Sequence, residues 1–204
     1  DTRVIFYRKD LLKEAGFDHP PRTWEELERI GKALVKDRDG DGKIDQYGMA
    51  LPVKDWNILS MFIWENGGNI LTPDNSKSDV ESEATREAFE FYHRLFQEKI
   101  VPTAEAVDVD LFHAFRTGFY PIFISGPWMI ELVRNELGKE YEGRWDVAMM
   151  PRKKFPTSFV GGCNLVVFKG SKHKEASWKF IEFMSQPEIQ VEWYRIITDL
   201  PAVK

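Results

Sequence analysis

The sequence predicts an α/β fold, in which short strands alternate with helices in layers along the chain. Runs of β-type residues such as residues 4–7 and 119–124 are each followed by a segment with helical apolar spacing. The chain has 204 residues, of which 43% are hydrophobic and 30% charged. That composition is typical of a globular protein, and the length suffices for one large domain or one and a half ordinary ones.

The first elements are a strand at residues 4–7 and a helix at residues 9–15, which Gly16 ends from the position after the C-cap. Thr23 then begins a second helix, and Glu26 completes a capping box that satisfies two unpaired backbone donors. Apolar residues recur on one face of that helix at Trp24, Leu27, Ile30, Leu34 and Val35.

The later elements follow from the same signals. Asp55 is a capping residue directly before a helix, Gly118 ends another, and Ser185 with Glu188 forms a second capping box. The remaining strands are predicted at residues 47–51, 119–124, 145–149 and 159–168. The remaining helices are predicted at residues 56–66, 83–98, 111–117, 129–137, 175–184 and 187–197.

The junction Ser125-Gly126-Pro127-Trp128 is the most informative local feature. Pro127 suits the first turn of a helix, and Ser125 or Gly126 is a suitable cap for that helix. Ligands of open α/β sheets bind in the crevice at such strand ends. Trp128 therefore has two interpretations, a flat platform for a sugar or aromatic ligand, or a plug in the core beneath the turn.

Several segments form a series that spans nearly all of the chain. They are residues 6–11 (FYRKDL), 20–27 (PPRTWEEL), 39–48 (DGDGKIDQYG), 64–68 (WENGG), 115–118 (FRTG), 125–128 (SGPW), 161–162 (GG), 169–173 (KGSKH) and 200–202 (LPA). In this order they resemble the extracellular solute-binding proteins of the maltose-binding type.

The resemblance implies a periplasmic-binding-protein type II fold, with two α/β lobes joined by hinge strands. Residues 1–158 would then be most of the second, C-terminal lobe. Residues 159–204 would be a return strand and two helices that pack on the first lobe, of which a segment of roughly a hundred residues is expected to be absent from this chain. Exposed apolar residues on those two helices would favour association, so we expect the chain alone to form a homodimer.

The resemblance also implies a function, the substrate-binding component of an ABC importer. Such a protein binds a sugar between its lobes and delivers it to membrane permease subunits. It lies in the periplasm or outside the cell, attached to the surface. The rival interpretations are a carbohydrate-active enzyme of the glycoside hydrolase type and a purely structural interaction domain.

Other function classes lack support in the sequence. The net charge of −5 does not attract nucleic acid or anionic membranes. The four histidines lack metal-ligand spacing, and Cys163, which has no identifiable base partner, is expected to be a buried thiol. We therefore expect no catalytic residues.

A sugar site needs aromatic platforms together with a few directed polar groups. Four of the candidates for such a site have a structural alternative. Asp55 would cap a helix, Trp64 would pack in the core, the pair Gly161-Gly162 would form a β-bulge, and Tyr7 would be a structural residue. The candidate ligand-binding residues are Trp128, Asp55, Trp56, Asn57, Trp64, Gly161, Gly162 and Tyr7.

The acidic loop at residues 37–45 matches part of a calcium-loop template, with Gly42 at the sharp turn. Gly48 stands where the usual bidentate Glu would be, which predicts weak affinity. The loop is either a calcium site or a solvated acidic turn. Its candidate ligands are Asp37, Asp39, Asp41, Lys43 (through its carbonyl) and Asp45.

Overall fold

A three-stranded antiparallel sheet is the centre of the computed structural model, which describes residues 2–52, 55–103 and 110–202. The middle strand, β1 (Val4–Arg8), lies between β2 (Ile122–Ser125) and β3 (Trp145–Ala148). Val4 is opposite Ser125, and Arg8 is opposite Trp145. The start of the chain is therefore held between two strands that are distant in sequence.

The first six of the described helices contribute residues to the two cores beside this sheet, whereas the last two bury none. The helices are α1 (Lys9–Glu14), α2 (Trp24–Leu34), α3 (Trp56–Glu65), α4 (Glu83–Gln97), α5 (Leu111–Thr117), α6 (Met129–Leu137), α7 (Lys174–Met184) and α8 (Pro187–Ile197), with a short 3-10 helix at Lys139–Tyr141. Each α-helix lies within one or two residues of its predicted bounds, and the 3-10 helix was not predicted. None in the described part of the chain is long and apolar enough to cross a lipid bilayer.

Alternation along β1 divides the buried side chains between two cores. Ile5 and Tyr7 face the larger core with residues of α2, α3 and α4. Phe6 faces the other way and stacks on Phe123 at 4.7 Å between ring centroids, above residues of α5 and α6. The sheet therefore lies between two helical layers, which confirms the predicted α/β architecture.

Two predicted strands are wrong. Residues 47–51 make a single parallel bridge, Ala50 to Phe123, because the Ile100 carbonyl accepts hydrogen bonds from both Gly48 and Met49 and holds the segment outside the ladder. Residues 159–168 form no strand, and none of the three strands pairs with them. A β-type run extends a sheet only where a strand edge lies beside it.

The capping predictions have mixed outcomes. The Thr23 hydroxyl accepts from the Glu26 N–H as expected, but the Glu26 carboxylate accepts from the Arg22 N–H instead of the Thr23 N–H. Asp55 caps α3 by accepting from the Asn57 N–H at 2.9 Å. The second predicted box is wrong, because α8 begins after Gln186, and Ser185 donates to the Ile181 carbonyl at the end of α7.

The segment after residue 158 differs from the rest of the chain in burial. No residue of α7 or α8 is buried. Cys163 is exposed, so the expectation of a buried thiol is wrong, since nothing packs over this part of the described chain. Large exposed side chains on the two helices are Trp178, Phe180, Phe183, Val191, Trp193, Tyr194 and Ile196.

Candidate ligand-binding site

The turn between β2 and α6 positions Trp128. The Met129 and Ile130 N–H groups donate to the carbonyls of Gly126 and Pro127. No side chain caps this helix, so the prediction of a Ser125 or Gly126 cap is wrong; backbone bonds of the turn satisfy the helix start instead. A Cβ on Gly126 would lie 1.8 Å from the Trp128 ring, so only glycine permits the indole to lie against this backbone.

An arginine and three aromatic rings meet beside this turn. The Arg3 guanidinium lies 4.7 Å from the centroid of the half-buried Trp128 ring and 5.8 Å from that of Phe159. Phe159 in turn contacts Trp56 edge to face, at 5.9 Å and 87°. We call Arg3, Trp56, Trp128 and Phe159 the aromatic–arginine cluster. Trp56 is 63% exposed, so the cluster presents a large aromatic surface to solvent.

Hydrogen bonds hold the parts of the cluster together. The Ser158 hydroxyl accepts from the Arg3 N–H at 3.1 Å and donates to the Arg3 carbonyl at 2.9 Å. These bonds place Phe159 next to β1. On the other side, the Thr198 hydroxyl donates to the Pro127 carbonyl at 3.0 Å, which joins the end of α8 to the Trp128 turn.

Other predicted ligand residues surround the cluster. Asp55 and Asn57 flank Trp56 at the N-terminus of α3. The Asn57 side-chain oxygen is buried and accepts no hydrogen bond from the described residues. A Cβ on Gly161 would lie 2.3 Å from the Phe159 ring, so the backbone at Gly161 approaches the cluster closely, whereas one on Gly162 would meet nothing within 4 Å.

Trp64 and Tyr7 lie in packing positions outside the cluster. Trp64 is half-buried against the larger core, at the opposite end of α3 from Trp56. Tyr7 is 9% exposed in the middle strand, and its pKa is raised, first by burial and then by the charge of Asp146. For both residues, ligand contact stays a prediction.

The sequence did not reveal Arg3 or Phe159 as site residues. Arg3 reaches Trp128 only because β1 pairs antiparallel with β2, which places the residue before Val4 beside the residue after Ser125. Phe159 reaches Arg3 through the neighbouring Ser158. Strand register between segments more than a hundred residues apart has no local sequence signal.

Three carboxylates of the acidic loop converge. Oxygen atoms of Asp37, Asp39 and Asp45 lie within 4.8 Å of one another, and all three residues are exposed. Asp37 accepts hydrogen bonds from two backbone N–H groups of the loop, those of Gly40 and Gly42.

The other two predicted ligands of this loop are engaged with each other. Asp41 accepts from the Lys43 N–H and pairs with the Lys43 ammonium at 3.0 Å. A two-way backbone bridge between Lys36 and Gln46 closes the loop at its base. The structure thus brings three of the four predicted carboxylates together, and calcium binding stays a prediction.

A wide groove of about 760 Å³ lies elsewhere, between α6 and β3, lined by Ile130, Arg134, Lys139, Trp145 and Asp146 among others. The aromatic–arginine cluster does not line this groove. Volume alone therefore does not identify the site, and the arrangement of aromatic faces and hydrogen-bonding groups is the better guide.

The whole chain, residues 1–204, matches the family described as bacterial extracellular solute-binding protein. The protein belongs to this family. Members of this family bind solutes and are not enzymes, which confirms the expectation that the chain is not an enzyme.

Two curated relatives are each 26% identical in sequence to this chain. A maltotriose-binding protein of Pyrococcus abyssi is 26% identical over 197 residues, which cover 93% of this chain and 39% of the relative. A putative binding protein of Brucella abortus is 26% identical over 213 residues, which cover 100% of this chain and 49% of the relative. The chain spans about half or less of the length of the curated relatives it matches.

Solved structures show the same fold and the same partial coverage. The sugar-binding protein MalE of Xanthomonas citri superposes with a TM-score of 0.81 and 34% identity, over 98% of this chain and 50% of that one. A Thermotoga lettingae solute-binding protein bound to α-D-tagatose has a TM-score of 0.80 and 26% identity. These similarities confirm the predicted periplasmic-binding-protein-like fold.

Proposed function

We propose that this chain forms one wall of a sugar-binding cleft in the substrate-binding component of an ABC importer. The observation that carries the proposal is the aromatic–arginine cluster at the β2–α6 turn, in a chain of the solute-binding family. Residues 1–158 would form most of one lobe. Residues 159–204 would pack on the other lobe in the full-length protein.

The chemistry of the cluster suits a saccharide. A pyranose ring has apolar C–H faces and a rim of hydroxyl groups, so it needs an aromatic face together with hydrogen-bonding groups. Trp56 and Trp128 offer aromatic surface, and the buried Asn57 oxygen is an acceptor without a donor among the described residues. A carboxylate nearby, Asp55, accepts a bond from the Asn57 N–H and, among the described residues, retains acceptor capacity.

The relatives support the transport context. A Streptococcus pneumoniae relative, 24% identical over 213 residues, is a maltooligosaccharide ABC transporter solute-binding lipoprotein. By this likeness we propose a position in the periplasm or outside the cell, with surface attachment, and delivery of the sugar to permease subunits. The sugar would be a monosaccharide or an oligosaccharide.

Replacing Trp128 with alanine should weaken sugar binding while the fold persists. The indole is half-buried, and the contact it would give a sugar is worth about 1–3 kcal/mol, or roughly 5- to 150-fold in Kd. Calorimetry on the full-length protein with mono- and maltooligosaccharides measures the change for the sugar that binds. Phe89→Ala is the matched control, because Phe89 is an exposed aromatic on α4 outside the cluster.

The outcomes of this experiment are distinct. The function and the site are both supported if a saccharide binds the wild type, Phe89→Ala preserves that binding, and Trp128→Ala weakens it. Binding that Trp128→Ala leaves within twofold assigns Trp128 to structure alone. A wild-type protein that binds no saccharide contradicts the proposed function.

We also propose that the acidic loop holds a structural calcium ion through Asp37, Asp39 and Asp45. Three carboxylates within 4.8 Å repel one another unless a cation or water intervenes. Calcium takes six to eight oxygen ligands, so loop carbonyls such as that of Lys43, water, and Asp41 after release from Lys43 would complete the shell.

Removal of calcium should lower the melting temperature, because an ion bound only to the native state stabilises it. The measurement is a thermal melt in calcium and in excess chelator. The double variant Asp39→Asn with Asp41→Asn should lose this sensitivity, while Asp18→Asn, a fully exposed acid outside the loop, should keep it. Identical melts of the wild type in calcium and in chelator would rule out the structural ion.

A further inference from the structure

Arg3 differs from the other arginines that stack on aromatic rings. Arg8, Arg29, Arg94 and Arg144 also lie over rings, and each of them pairs with a carboxylate within 4.0 Å. Within residues 2–52, 55–103 and 110–202, Arg3 has no carboxylate partner and its guanidinium donates to no acceptor. The one unpaired arginine of this group is therefore the one in the candidate ligand-binding site.

Contact with two aromatic rings leaves the in-plane N–H donors of the Arg3 guanidinium available for hydrogen bonds. The rings of Trp128 and Phe159 lie at 4.7 and 5.8 Å from it and favour its positive charge. A guanidinium stacked in this way still has five N–H donors in its plane, and the donors at its edge match two adjacent oxygen atoms. Arg3 is half-buried, so an acceptor from a ligand would replace solvent that reaches it only in part.

Hydrogen bonds fix the backbone of Arg3, and the two rings contact its guanidinium. Both its N–H and its carbonyl bond the Ser158 hydroxyl, which also accepts from the Thr2 hydroxyl at 3.0 Å. A donor group held in position before binding loses less conformational entropy when a ligand arrives. Charge, geometry and fixed position thus combine at a single side chain.

We propose that Arg3 contacts the bound saccharide directly and determines part of its specificity, by donating two hydrogen bonds to a pair of adjacent ligand oxygens. The oxygens belong either to two neighbouring hydroxyl groups of a neutral sugar or to the carboxylate of an acidic one. This inference rests on the proposed sugar-binding function. Stacking on Trp128 alone would be a structural role, and the inference adds a role in ligand recognition.

The test compares Arg3→Lys with wild type by calorimetry on the full-length protein, using maltotriose and a trigalacturonate as probes. Lysine keeps the positive charge but lacks the planar fork, so the affinity for the recognised probe should fall at least tenfold. Arg29→Lys is the matched control, because Arg29 stacks on Phe17 at the surface, outside the cluster. Thermal melts should show that both variants are folded to the same extent as wild type.

The two probes identify the source of the oxygens. A loss confined to trigalacturonate that weakens in added salt indicates a carboxylate, and a loss with maltotriose indicates neighbouring hydroxyls. If the wild type binds saccharides and Arg3→Lys binds each of them with the same affinity, the role of Arg3 is overturned and the proposed function stands. A wild type that binds no saccharide in a broad panel overturns the proposed function itself, and the inference with it.

Discussion

Replacing Glu65 with glutamine should make the stability of the protein fall less steeply between pH 5 and pH 9. Glu65 is the last residue of α3 and has no solvent exposure. The Trp24 indole N–H donates to one carboxyl oxygen at 2.6 Å, and in the described part of the chain the other oxygen has no hydrogen-bond partner. Burial raises the pKa of this carboxyl to about 9, against a small opposing effect of the Trp24 bond.

The direction of the effect follows from proton binding. In the unfolded chain Glu65 loses its proton near its ordinary pKa of 4.5, whereas in the folded protein it keeps that proton to about pH 9. The unfolded state therefore releases its proton first as the pH rises. The stability contribution of Glu65 is fully present below pH 4.5 and is lost as the pH rises toward 9.

The size of the effect is considerable. Each unit of pKa difference corresponds to about 1.4 kcal/mol, so the loss is on the order of 5 kcal/mol across this range. Whole domains are stable by only about 5–15 kcal/mol. Glutamine keeps an oxygen that accepts from Trp24 and does not ionise, so its cost as a buried amide is the same at every pH.

Urea unfolding at pH 5, 7 and 9 measures this dependence. The free energy of unfolding of wild type should fall with pH more steeply than that of Glu65→Gln. Glu90→Gln, an exposed glutamate on α4, should follow the wild-type slope. Parallel curves for wild type and Glu65→Gln would show that Glu65 is not protonated in the folded protein.

Local signals in the sequence were sufficient for most of the helices. Thr23 and Asp55 cap their helices because a side-chain oxygen and a backbone N–H two or three residues away meet whatever the rest of the chain does. Ser185 failed because Pro187 occupies the first helical position of α8, which makes Gln186 the cap. Two local signals competed there, and the fixed φ of proline prevailed.

Pairing between distant segments could not be predicted in the same way. A strand-like composition at residues 159–168 does not supply the partner strand that a ladder needs, and the segment remains unpaired with the sheet. Trp128 was identifiable because it follows a strand and precedes a helix, and Trp56 because a capping residue, Asp55, directly precedes it. Arg3 and Phe159 were not, since only the β1–β2 register and the Ser158 bonds bring them together.

The 204-residue chain, expressed alone, should self-associate through α7 and α8. These helices bury no residue, yet they expose several large apolar side chains. Full burial of one such side chain is worth about 1.5–3 kcal/mol, so covering several would provide roughly 5–10 kcal/mol. In the full-length protein we propose that the other lobe covers this face; without that lobe, a second copy of the same face is the available partner, which gives a two-fold dimer.

Sedimentation velocity over a range of concentrations tests this expectation. The triple variant Trp178→Glu, Phe180→Glu and Ile196→Glu should shift the chain to monomer, because these exposed side chains support no packed core and can be replaced without unfolding. Phe89→Glu with Leu132→Glu is the control, since these exposed apolar residues lie on α4 and α6. It should leave the dimer intact. A wild-type chain that stays monomeric at high concentration would show that burial of this face does not repay the entropy lost on association.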